Sequence, residues 1–365
     1  MTFELSKLVR PNIARLKPYS SARSEFEGEA EIFLDANENA FGSPAGAGFN
    51  RYPDPLQKEL KAKIAEMRGI RADQIFIGNG SDEAIDLLFR IFCEPGRDEC
   101  IICPPTYGMY RVSAEINNVT ISEVPLRKDF SLHTEAVIGS IGSRTKLIFI
   151  CSPNNPTGNL MDRDDIVRIA KSFNGIVVVD EAYAEFADVE SLISEMSRQP
   201  NIVVLRTFSK AWGMAGLRVG MAFADAAIIE LMNRVKPPYN VSGIAQRAVL
   251  SALVSVEQIT SWITETVRER TRLADELSRL SIVETIYPSD ANFLLVRTTD
   301  SARIYGELLI SGIVVRDRSR VLLCEECLRI TVGTPEENDR LLNALRSIEA
   351  AGSADEVLPI LLGGI

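Results

Sequence analysis

Six short apolar runs recur along the middle of this chain: IFI at 75–77, CIIC at 100–103, KLIFIC at 146–151, GIVVVD at 175–180, NIVVL at 201–205 and LRVGMAFA at 217–224. They are continuous rather than alternating, which is the pattern of strands covered on both faces by helices. Helical periodicity fills the gaps. Ile85, Leu88, Phe89 and Phe92 stand at offsets 0, 3, 4 and 7, and Asp162 precedes IVRIAKSF as an acidic cap. This alternation predicts an α/β unit around a mostly parallel sheet. Between 253 and 281, Val256, Ile259, Ile263, Val267, Leu273, Leu277 and Leu280 mark one long amphipathic helix. Beyond it ANFLLV, a helix near 301–311, IVV, CLRITV and a helix from Pro335 describe a smaller α+β unit. The expected division puts 46–265 in the large unit and 1–45 with 266–365 in the small one, the first 45 residues wrapping back onto the latter.

Lysine and arginine number 40 against 50 aspartates and glutamates, a net charge of −10. That balance argues against a surface built to grip nucleic acid or an anionic membrane. The single histidine, His133, excludes any site needing two histidine ligands and leaves acid–base work to Lys, Asp, Glu, Tyr or a cofactor. Among the six cysteines two pairs read C-x-x-C, Cys100 with Cys103 and Cys324 with Cys327, but the pairs are too far apart in sequence for a zinc ribbon. An offset of three in the strand-like CIIC points Cys100 and Cys103 to opposite faces, so incidental buried thiols in a reducing, cytoplasmic setting are expected. The N-terminus carries no apolar signal core, and the tail VLPILLGGI is too short to cross a bilayer.

Four motifs follow predicted strands and so belong at the carboxyl edge of the sheet, where open α/β folds bind ligands. GNGSDE at 78–83 offers a tight turn, Ser81 as a helix cap and a helix N-terminus suited to phosphate. CSPNNPTG at 151–158 holds Asn155 in a turn; VDEAY at 179–183 ends a β-branched run on Asp180; TFSKAWGMAG at 207–216 places Lys210 just past a strand, among apolar residues. Each has a bland reading: a common turn, a cap, a lysine reaching solvent. Spacing joins them, since Asn155 to Asp180 is 25 residues and Asp180 to Lys210 is 30, each about one strand and crossover. A phosphate cradle, a carboxylate, amide and hydroxyl donors and an amine on one crevice meet the needs of pyridoxal 5′-phosphate.

Together these motifs resemble the fold-type I pyridoxal-phosphate aminotransferases, and 207–216 matches the cofactor-lysine signature of their class II branch. LDANEN at 34–39, RYPDP at 51–55, PTYGMY at 105–110, KPPYNV at 236–241 and CLRITVG at 327–333 are similar to the histidinol-phosphate aminotransferases within it. The resemblance implies a large sheet domain and a smaller α+β domain, a homodimer, and small-molecule partners, an amino phosphate ester and a 2-oxo acid. The implied reaction is transamination of L-histidinol phosphate with 2-oxoglutarate, a step of histidine biosynthesis. It also implies roles. Lys210 would bind the cofactor covalently and move the Cα proton; Asp180 would pair with the ring nitrogen; Tyr107 would stack on the ring; Asn155 and Tyr183 would reach its hydroxyl. Ser81, Asp82, Ser209 and Arg218 would hold the phosphate, joined by Tyr52 of the other subunit. Arg329 would grip a substrate carboxylate or phosphate, with Tyr19, Asn37 and Arg316 completing the pocket. An aromatic aminotransferase, a threonine-phosphate decarboxylase and a regulatory ligand sensor are the alternatives; the last usually carries a DNA-binding extension, for which this chain has no expected room.

Overall fold

A computed structural model describes residues 3–19, 31–46 and 48–362. Its large sheet has seven strands: β1 (Ile75–Asn79), β2 (Glu99–Ile102), β3 (Thr120–Glu123), β4 (Thr145–Cys151), β5 (Ile176–Asp180), β6 (Ile202–Thr207) and β7 (Val219–Phe223), in the order β1-β7-β6-β5-β4-β2-β3. Neighbours from β6 through β3 pair in parallel, while β7 runs antiparallel to both β6 and β1. All six apolar runs become strands of this sheet. Alternate residues feed two cores: Val177, Val179, Ile202 and Val204 pack on one face, Ile176, Val178, Val203 and Leu205 on the other. Strands covered on both faces need no polar alternation, which is why the runs read as continuous. Cys100 and Cys103 enter opposite cores, as their spacing requires.

The edge strand β3, sequence TISE, carries no buried residue and left no apolar run to find. The same holds for β8 (Val283–Ile286), an edge of the second sheet. That sheet is antiparallel, β10-β11-β9-β8, with β9 (Phe293–Thr298), β10 (Arg316–Asp317) and β11 (Cys327–Thr331). The strand expected at IVV, residues 313–315, forms instead directly after it, at Arg316–Asp317. The long helix runs Val256–Leu277, preceded by a separate helix Gly243–Ala252. Its Ile259 packs on the large core, while Leu273 and Leu277 pack with Leu294 and Leu328 of the smaller sheet. One rigid element thus touches both cores.

The N-terminal residues differ from expectation. Leu8 and Ile13 are buried with the helix Ser81–Phe92 of the large unit, not with the small sheet. The Arg10 N–H donates to the Ile91 carbonyl at 3.0 Å, and the Arg10 guanidinium reaches Glu94. Their apolar side chains were too few to show a partner in sequence. Ser81 differs too: it is the first helical residue, and Gly80 stands at the cap. The turn is closed instead by Glu83, whose carboxylate accepts from the Asn79 N–H.

On the face of the large sheet opposite Asp180, a buried ion cluster joins β5 to β6. Arg206 lies 3.0 Å from Glu181 and 2.9 Å from Glu185, and Glu181 also accepts from the Leu192 N–H and the Ser191 hydroxyl. Replacing Arg206 by Leu leaves Glu181 buried without its ion-pair partner, while Glu185 keeps only Arg68 at 3.5 Å. Urea unfolding of Arg206→Leu should show stability lower by about 3–5 kcal/mol; an unchanged midpoint would show that the cluster contributes nothing.

Candidate active site

The carboxyl ends of β1, β2, β4, β5 and β6 and the start of antiparallel β7 meet at one edge, and a cavity of about 660 Å³ opens there. Ser81, Asp82, Tyr107, Asn155, Asp180, Tyr183, Ser209, Lys210, Arg218, Arg316 and Arg329 all line it. Five cationic side chains and two carboxylates face the same space in a chain of net charge −10. The volume is that of a small-molecule site.

Asp180 ends β5 beside Cys151 of β4. It is 3% exposed, accepts from the Tyr110 hydroxyl at 2.8 Å and from the Ala182 N–H at 3.1 Å, and caps no helix. Burial raises its pKa to about 6 against the pull of those two hydrogen bonds. No ion pair holds it among the described residues, so its charge is available to a cationic group entering the cavity. Tyr110 itself is fully buried and stacks on Phe149 with centroids 4.8 Å apart. Sequence alone gave it no role. Its only signal is its place three residues after Tyr107, where it looks like an ordinary core aromatic.

Lys210 sits three residues beyond the end of β6, which carries it out of the buried run. It is open to the cavity rather than enclosed by apolar neighbours, its ammonium 5.3 Å from the centroid of the Tyr183 ring. The protein around it, then the Arg329 charge, pushes its pKa below the usual lysine range. Asn155 lies between the two sheets: its amide nitrogen donates to the Tyr183 hydroxyl at 3.4 Å, and its oxygen accepts from Arg329. Arg329 also stacks its guanidinium over Phe293 at 5.2 Å.

At the other end, Ser81 opens the helix Ser81–Phe92, Ser209 is held by hydrogen bonds to Thr207, and Arg218 lies 3.5 Å from Asp82. Tyr107 donates to Asp82 at 3.1 Å and meets Tyr110 edge-on. Two glycines make this cradle possible. A Cβ on Gly220 would stand 2.1 Å from the Ser81 nitrogen, and one on Gly80, at φ +77°, would stand 2.6 Å from the Arg218 guanidinium. Helix N–H groups, two hydroxyls and a guanidinium suit a phosphate, and the buried Asp180 suits a protonated ring nitrogen. The donor set therefore fits pyridoxal 5′-phosphate.

Tyr19, Asn37 and Tyr52 do not line this cavity. Asn37 and Tyr52 lie in a second recess with Arg247, where Tyr52 stacks on Tyr239 at 4.4 Å. Tyr19 is 76% exposed beside a third recess with Pro55 and Lys236. The six cysteines are buried and unpaired, and burial pushes the Cys100 and Cys103 thiols up to about 12. No group of three or more potential metal ligands occurs among the described residues.

The hydrogen bond from Tyr110 lowers the Asp180 pKa, so its removal raises it. In apo Tyr110→Phe, carboxyl titration followed by infrared difference spectroscopy should place Asp180 above its wild-type value of about 6. An unchanged titration would contradict the role given to this tyrosine.

Residues 29–345 match the family described as aminotransferase class I and II. The chain is 51% identical over 347 residues to the histidinol-phosphate aminotransferase of Cytophaga hutchinsonii, covering 95% of this chain and 100% of that relative. It is equally similar to that of Parabacteroides distasonis, at 51% over 346 residues, 95% of this chain and 99% of the relative. The crystal structure of the Sinorhizobium meliloti histidinol-phosphate aminotransferase in complex with pyridoxal-5′-phosphate superposes with a TM-score of 0.76 at 25% identity, over 86% of this chain and 90% of that one. With a fold, a lysine and a phosphate cradle of this kind and a match spanning nearly its whole length, the chain belongs to the class I and II aminotransferases.

Proposed function

We propose that this chain transfers the amino group of L-histidinol phosphate to 2-oxoglutarate, giving imidazole acetol phosphate and glutamate in histidine biosynthesis. The observation that carries the reading is the charge layout of one cavity: an amine of lowered pKa and a buried carboxylate at its centre, with arginines at both ends. Relatives half identical over their full length bear the corresponding name. Those relatives favour neither the aromatic aminotransferase nor the decarboxylase alternative.

When bound, pyridoxal 5′-phosphate supplies an electron sink for negative charge developing at the substrate Cα. The residues of the chain do the rest. Ser81, the backbone of Asp82, Ser209 and Arg218 would hold the phosphate; Tyr107 would lie against the ring; Asn155 and Tyr183 would orient its hydroxyl. Asp180 keeps a proton on the ring nitrogen by placing a buried negative charge beside it. Lys210 anchors the cofactor, and its amine, of reduced basicity, carries the proton from the substrate Cα. Arg329, oriented by Asn155 and Phe293, grips the carboxylate of glutamate or the phosphate of histidinol phosphate, with Arg316 beside it.

The proposal includes a homodimer. Tyr52, Asn37 and Tyr19 stand away from their own chain's cavity, and the same N-terminal region exposes Ile32, Leu34, Phe41 and Phe49 to solvent, an apolar patch that calls for a cover. A second copy of the chain would bury it and would bring Tyr52 to the neighbouring cofactor phosphate. A cytoplasmic setting is part of this proposal. Among the described residues no helix is long and apolar enough to cross a membrane.

Incubated with histidinol phosphate and 2-oxoglutarate, the purified holoenzyme should form glutamate. Lys210→Ala should lose the visible absorbance of the bound cofactor and at least ~1,000-fold in turnover, because proton transfer and anchoring vanish together. Normal transamination by that variant would sink the assignment.

A further inference from the structure

The small sheet turns three guanidinium groups toward the cavity, those of Arg316, Arg318 and Arg329. The pairing explains why. Arg316 of β10 stands opposite Arg329 of β11, and the Arg318 N–H continues the ladder by donating to the Cys327 carbonyl at 2.9 Å. Residues two apart on a strand share a face, so Arg318 projects the same way as Arg316 and Arg329. The resemblance assigned Arg316 and Arg329; it left Arg318 without a role.

Arg318 is left unsatisfied by the rest of the described chain. Its Nε is buried without a hydrogen-bond partner, and no ion pair or side-chain hydrogen bond engages it among the described residues. Arg329 also has a buried Nε without a partner, and one of its N–H groups is committed to Asn155. Burial first, then the charges of Arg329 and Arg316, depress the Arg318 pKa. A group placed this way is costly unless a ligand oxygen meets it. A carboxylate is planar, carries one negative charge and is saturated by a single guanidinium fork. A phosphate monoester carries close to two negative charges and presents its terminal oxygens in several directions, so it can accept from guanidiniums on separate residues at once.

We propose that Arg318 is a substrate-phosphate ligand that sets the preference of this cavity for a phosphate monoester over a carboxylate. It rests on the transaminase reading and deepens it: Arg329 serves both substrates of the shuttle, and Arg318 distinguishes them. Specificity here is a difference of two affinities, and a third guanidinium adds more to a dianion than to a carboxylate already filled by one fork.

The test uses the holoenzyme with Arg318→Gln and Arg318→Lys, following the change in cofactor absorbance separately with histidinol phosphate and with glutamate. In Arg318→Gln, kcat/KM for histidinol phosphate should fall ~10- to 100-fold, mainly through KM, the loss of one hydrogen bond to a charged group. The glutamate half-reaction should change by less than ~3-fold, the resting spectrum should stay as in wild type, and Arg318→Lys should recover part of the loss. Equal losses for both substrates, or none for either, would overturn the proposal. Inorganic phosphate as a competitive inhibitor of the glutamate half-reaction separates this inference from the reading beneath it. If the wild type failed to use histidinol phosphate, the substrate assignment would fall, yet phosphate inhibition weakened at least ~10-fold in Arg318→Gln would still support a phosphate ligand. Inhibition unchanged by the substitution would refute it.

Discussion

A carboxylate buried at 3% exposure and held in no ion pair among the described residues is the constraint on which the rest of this structure turns. Left alone, Asp180 is a liability, because burial favours its protonated form. The fold keeps it there by giving it two donors, the Tyr110 hydroxyl and the Ala182 N–H, without closing a direct ion pair on it among the described residues. A site that stores unpaired negative charge in a dry place is prepared for a ligand that brings the positive charge with it. The strand β5 and the buried tyrosine stacked on Phe149 are the scaffold that holds this arrangement rigid.

The large sheet does the assembling. Parallel strands deliver Asn155, Asp180 and Lys210 to one edge, and the antiparallel β7 begins at that edge and so delivers Arg218 to it as well. Because successive residues point to opposite faces, Asp180 turns toward Tyr110 while its neighbour Glu181 turns the other way and binds Arg206. Two successive residues therefore supply a carboxylate that lines the cavity and one that anchors the opposite face of the sheet. The small sheet adds the other half of the cavity, with guanidiniums from β10 and β11 meeting Asn155 across the gap.

Much of this was legible in the residues. The strands with two buried faces announced themselves as unbroken apolar runs, and Asn155, Asp180 and Lys210, which line the cavity, follow those runs at crossover spacing, so the cavity could be outlined from the residues alone. What escaped has physical causes. The edge strands β3 and β8 are half exposed and carry no apolar run. Tyr110 is a core aromatic by composition and reveals its role only through one hydroxyl contact. Arg318 follows directly on a two-residue strand, Arg316–Asp317, which is too short to show its face in sequence. The N-terminal residues Leu8 and Ile13 gave no sign of which core they would join. Tyr19, Asn37 and Tyr52, reached through resemblance, lie outside the cavity that one chain builds.

The central claim is that Asp180 exists to hold a proton on the ring nitrogen of the bound cofactor. Reconstitution with pyridoxal 5′-phosphate labelled with nitrogen-15 in the ring, followed by nitrogen NMR at pH 8, measures that proton directly. A protonated ring nitrogen in the wild type and a neutral one in Asp180→Asn is the result expected. A neutral nitrogen in the wild type, or a protonated one that persists without the carboxylate, would contradict the account.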